Sequence, residues 1–124
     1  MNESFGKKEK LKSKTLITQL FTEGRSLTKY PLKLIYLPNP NPATPFHRTG
    51  VSVPKRNFKR AIDRIYLKRL MREAFRKNKY LVINEMQPAY AFMFIYISKT
   101  KEDYTKVFSA TETLLKKFTE KEFN

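Results

Sequence analysis

Eleven of the residues from Lys55 to Lys79 are Lys or Arg, and only Asp63 and Glu73 oppose them. A segment so charged cannot be interior. Whatever it folds into must offer one apolar stripe to a core and hold the cations outside. A helix meets that demand. At 100° per residue across Arg60–Lys79, Arg64, Lys68, Arg72 and Arg76 step by four into one rising stripe, with Arg69 and Lys79 beside it. The stripe rises roughly 18 Å, the reach of several nucleic-acid phosphates. Tyr66, Leu67, Leu70, Met71 and Ala74 occupy another arc and are expected to face the core. The helix is expected to start at Asn57 or a neighbour and to run to about Lys79.

The rest of the chain is less one-sided. Of the formal +15 on 124 residues, residues 1–54 carry +6, the basic segment +9 and residues 85–124 nothing net. The length suits a single domain spanning 1–124, with residues 1–12 as an extended arm and about 119–124 as a frayed tail. Seventeen Phe and Tyr supply core material, and the absence of Cys excludes disulfides, thiolate metal sites and thiol nucleophiles. No apolar run approaches a membrane span, and no hydrophobic stretch follows the N-terminal charges. A cytoplasmic protein is expected.

Around the basic segment the periodicity reads helix, strand, strand, helix, strand, helix: an α+β domain in the order α-β-β-α-β-α. Ser13–Glu23 places Leu16, Ile17, Leu20 and Phe21 on one face, with Ser13 to cap it and Gly24 as a left-handed stop. Leu32–Leu37 reads as a strand. Four prolines between Pro38 and Pro45 enforce a loop, and His47–Val53 resumes as a strand, so the two form a hairpin with a long connection. Gln87-Pro88 breaks the chain. Tyr90–Ile97 is almost continuously apolar, as in a central strand covered on both faces. Phe92, Phe94 and Tyr96 then alternate on one face, as core or as a stacking platform. Asp103 caps a last helix carrying Val107, Ala110, Leu114 and Phe118.

Two carboxylates cannot neutralise eleven cations by i,i+4 pairing, and arginine, the planar bidentate phosphate ligand, predominates in the stripe. The partner expected is therefore a phosphate polymer. A membrane-surface helix would need its apolar face free for lipid, whereas here that face fills a small core, so no membrane partner is expected. No zinc-finger spacing, leucine zipper or helix-turn-helix points to duplex DNA, and DNA is not expected; the aromatic strands suit unpaired RNA bases. Protein catalysis is not expected either. His47 is the single histidine, the carboxylates are scattered, and no glycine-rich phosphate loop exists.

The run Val51-Ser-Val-Pro-Lys-Arg56, then Ala61-Ile-Asp-Arg64 and Lys68-Arg-Leu-Met-Arg72-Glu73, resembles the signature of the bacterial ribonuclease P protein subunit. Phe5-Gly-Lys-Lys-Glu-Lys-Leu11 and Phe21-Thr-Glu-Gly24 are similar to that family's opening. The likeness covers nearly the whole chain in order. Where the family pattern has Arg-Asn-Arg, this chain has Arg64-Ile65-Tyr66, and it is one residue longer between Arg56 and Ala61.

The resemblance implies a small mixed sheet packed with about three helices, and a left-handed βαβ crossover through the basic helix, against the general preference. It implies an accessory subunit of an RNA-based endoribonuclease, whose RNA removes the 5′ leader of precursor tRNA by phosphodiester hydrolysis. Mg²⁺ would be held mainly by the RNA and none by the protein alone. The partners implied are ribonuclease P RNA, through Arg60, Arg64, Lys68, Arg69, Arg72 and Arg76, and precursor tRNA. The single-stranded leader would lie in a cleft between the first helix and the sheet, lined by Ile17, Phe21, Ser52, Lys55, Arg56 and one residue of the first strand. Phe21 could stack a base or belong to the core. The matched strand position is Ile35, and parity allows only one of Ile35 and Tyr36; Tyr36, the better stacker, is the residue chosen. The competing classes are a ribosomal or other structural RNA-binding protein without a processing role, and an autonomous nuclease.

Overall fold

The computed structural model describes residues 14–38, 48–82 and 89–123. Its organising element is a strand, β4 (Tyr90–Tyr96), in which six of seven residues are buried. Such a run is stable only where both faces and both edges are covered. Both edges are: β2 (Leu32–Pro38) pairs antiparallel on one side, from Leu32 opposite Tyr96 to Pro38 opposite Tyr90. On the other side β3 (Arg48–Ser52) pairs parallel, Arg48 opposite Ala91 and Ser52 opposite Ile95. The hairpin expected from the sequence is therefore not formed, because β4 lies between its two strands. The proline-rich connection fixes no register, and the strand with apolar residues on both faces takes the centre. The loop itself and His47 lie outside the described residues, as do the 1–12 arm, Ser13 and Gln87-Pro88.

A fourth strand, β1 (Arg25–Lys29), adds antiparallel to β2, giving the sheet order β1-β2-β4-β3 and the element order α-β-β-β-α-β-α. The basic helix, α2 (Ala61–Asn78), connects the parallel neighbours β3 and β4 as the expected βαβ crossover and ends in a 3₁₀ turn, Lys79–Leu81.

The sheet has two unequal faces. Leu32, Leu34 and Tyr36 of β2 and Phe92, Phe94 and Tyr96 of β4 join one core with Leu67, Met71, Ala74 and Phe75 of α2. The last helix, α3 (Tyr104–Phe123), adds Val107, Ala110, Leu114, Leu115 and Phe118, and the Asp103 Oδ1 cap accepts from the Lys106 N–H at 2.9 Å. Phe118 stands edge-on to Tyr36, Tyr90 and Phe92 at centroid distances of 4.8–5.0 Å. The alternating aromatics of β4 are thus core. The C-terminal turn is also held: the Glu122 carboxylate accepts from Arg25 Nη1 and from the hydroxyls of Tyr36 and Tyr90. Helical order reaches Phe123 instead of fraying from 119.

The opposite face is thinner. Leu20 of α1 (Lys14–Glu23) packs on Ile35, Ala91 and Met93, with Leu16, Ile17, Leu37 and Ile95 around them. Gly24 joins α1 to β1 without a positive φ, contrary to the left-handed stop expected. It is needed for closeness: a Cβ there would strike the Leu20 carbonyl oxygen and stand 2.6 Å from Ile35 Cγ2.

Candidate nucleic-acid interface

The approach to α2 is built from backbone. The N–H groups of Asn57 and Phe58 donate to the Pro54 carbonyl, turning the chain so that Phe58 is buried against the Tyr96 ring, 5.7 Å between centroids. This turn absorbs the residues expected to begin the helix, and α2 starts at Ala61. Arg64 Nη1 donates to the carbonyls of Phe58 and Lys59, both at 2.8 Å, tying the turn to the helix. Lys55 and Arg56 project from the turn, both exposed.

The cations of α2 divide by partner. Arg60 pairs with Asp63 at 3.0 Å, and Asp63 also holds Lys101 at 2.6 Å. Hydrogen bonds from Arg60 and Lys101 pull the Asp63 carboxyl down to about 2. Arg76 pairs with Glu73, whose pKa is lowered chiefly by that contact. Both carboxylates of the helix are thereby occupied. The side chains of Lys68, Arg69 and Arg72 have no ion pair or hydrogen bond among the described residues; Arg69 and Arg72 are exposed and Lys68 is half-buried. They are the cations the fold leaves for an external anion.

Tyr66 is not core. It is 46% exposed, because it lies 100° from Leu67 and the buried arc is centred on Leu67, Met71, Ala74 and Asn78. Ile62 and Ile65 are exposed beside it.

The face under α1 holds the second group. Thr49 and Val51 point to the main core, so Arg48, Gly50 and Ser52 share the face of Ile35 and Met93. Across the sheet, Lys33, Ile95 and Ser52 form one row. α1 packs over β2 and β4, with β3 the strand beyond. Ile17 is half-buried there, whereas Phe21 on the same flank is 53% exposed and is not core. Tyr36 is on the wrong side. It is fully buried in the main core with its hydroxyl on Glu122, 2.9 Å away, and Ile35 occupies the α1 face instead. Arg48 and Lys33 join this face without having been singled out in the sequence; only their registers against β4 reveal it.

The family model described as Ribonuclease P matches residues 5–119. The ribonuclease P protein component of Porphyromonas gingivalis is 34% identical over 112 residues, covering 88% of this chain and 82% of that one. Among solved structures, the Staphylococcus aureus RNase P protein superposes with a TM-score of 0.72 at 21% identity, over 94% of this chain and 98% of that one. The Thermotoga maritima RNase P protein gives 0.71 at 25%, over 88% and 96%. With the matched signature carried by the turn and helix just described, the chain belongs to the ribonuclease P protein family.

Proposed function

We propose that the chain acts as the accessory subunit of ribonuclease P, gripping the catalytic RNA with α2 and the single-stranded leader of precursor tRNA on the α1 face of the sheet. The observation that carries this reading is the set Lys68, Arg69 and Arg72, left without carboxylate partners on a helix whose two acids are already taken. Arg64 sets the turn that presents Lys55 and Arg56 at the end of β3, next to Ser52. Ile17, Phe21 and Ile35 supply the apolar side of the leader site, and Phe21 is free to stack a base.

The protein contributes binding and orientation, not bond cleavage. Among the described residues no group of three His, Asp or Glu could hold a metal ion, and Asp63 and Glu73 are engaged by arginines. On this reading the Mg²⁺ of the reaction is held by the RNA. The test is reconstitution with ribonuclease P RNA and a precursor tRNA at limiting Mg²⁺. Leader release should accelerate on adding the protein, and the protein alone should release none. Cleavage by the RNA that is indifferent to the protein would overturn the reading.

A further inference from the structure

The solvent face of α2 carries a patch that phosphate binding does not explain. Ile62 (68% exposed), Ile65 (50%) and Tyr66 lie together on the first turns. Their neighbours are cationic: Arg69 follows one turn after Tyr66, and Lys101, held by Asp63, places its Nζ 5.8 Å from the Tyr66 ring centroid. An apolar cluster that stays in water on a small domain marks a contact surface. The ring of charge selects the occupant. A second copy of this chain would bring the same +15 surface against itself, whereas an unpaired nucleotide offers a flat apolar base on an anionic backbone. We infer that Tyr66, flanked by Ile62 and Ile65, is a stacking platform for an unpaired base of the bound RNA, with Arg69 meeting a phosphate that flanks that base. The inference rests on the proposed binding of ribonuclease P RNA and specifies how part of it is made: through a base face where the family pattern has asparagine and arginine.

Stacking and phosphate contact differ in salt response. Tyr66→Ala should weaken binding of in-vitro transcribed ribonuclease P RNA roughly 5- to 150-fold with the log–log salt slope unchanged. Tyr66→Phe should retain most of the affinity. The chain contains no Trp, so Tyr66→Trp installs a single reporter, whose emission should fall and become shielded from iodide when the RNA binds. Circular dichroism and the thermal midpoint check that each variant is folded. Binding of the RNA by Tyr66→Ala with unchanged affinity, or Trp emission indifferent to saturating RNA, overturns the platform while leaving the subunit reading intact. Failure of the unaltered protein to bind the RNA at all would sink that reading instead. A concentration-dependent dimer in sedimentation equilibrium, lost in Tyr66→Ala, would assign the patch to a second copy and overturn the inference.

Discussion

Single positions here are constrained by contact more than by conformation. Gly24 tolerates no Cβ because α1 and Ile35 close on it, so Gly24→Ala should cost about 1–3 kcal/mol, as for overpacking of a tight site, read as a lower urea midpoint. Glu102 is an opposite case, a carboxylate surrounded by donors. The Thr100 hydroxyl lies 2.6 Å away and Lys106 Nζ 3.1 Å, and these contacts, Thr100 foremost, lower it from 4.5 to about 2. A depressed acid contributes stability that is whole above its unfolded value and is lost as pH falls through the folded one. The thermal midpoint should therefore drop between about pH 4.5 and pH 2, and Glu102→Gln should flatten that drop; an equal drop in the variant would remove Glu102 from the account. Strand parity lets only one of Ile35 and Tyr36 face α1, and the sequence does not say which. Alternation fixes relative sides, and the absolute side came from the Tyr36 hydroxyl reaching Glu122, 86 positions away.

At the scale of elements, α2 was legible in outline and misread at its edges. Its charge stripe and the burial of Leu67, Met71 and Ala74 follow from the 3.6-residue period. Tyr66 lies 100° from Leu67 on the wheel, at the edge of the buried arc, and the helix starts four residues later than its periodicity suggests because nothing local announces the Pro54 turn. β1 has no signature in the sequence because an exposed edge strand, Arg-Ser-Leu-Thr-Lys, carries only Leu27 as an inward apolar residue. The partner pattern on α2 ranks its cations. Lys68→Ala with Arg72→Ala should flatten the RNA salt slope by about 0.7–0.9 for each phosphate contact removed. Arg60→Ala and Arg76→Ala should change it less, because each already faces a carboxylate on its own helix. Equal slopes for the two pairs of changes would refute that ranking.

For the molecule as a whole, the sheet has α2 packed on one face and α1 on the other, so the two proposed binding sites fall on opposite sides of it. Lys55→Ala with Arg56→Ala, or Phe21→Ala, should weaken binding of precursor tRNA by the reconstituted holoenzyme while sparing mature tRNA. Adding Lys68→Ala and Arg72→Ala to Phe21→Ala should give effects that sum within about 0.5 kcal/mol, as for sites without shared partners. Equal loss for the two tRNAs would place Phe21 and the Lys55-Arg56 turn in the scaffold or the catalytic-RNA site. Topology was the part the sequence concealed most, since strand adjacency depends on which partner satisfies β4 and not on order along the chain. That insertion also has a consequence during synthesis. β2 and β3 leave the ribosome before β4, and at 5–20 residues per second roughly 3–10 s pass between Pro38 and Tyr90. Over that interval the nascent chain accumulates first a second strand with no central partner and then an amphipathic helix with no completed sheet to lie on. Only when the last strand emerges can it slot between its predecessors and seat α2. Presentation of Lys68, Arg69 and Arg72 on a packed helix is thereby deferred until β4 has been made.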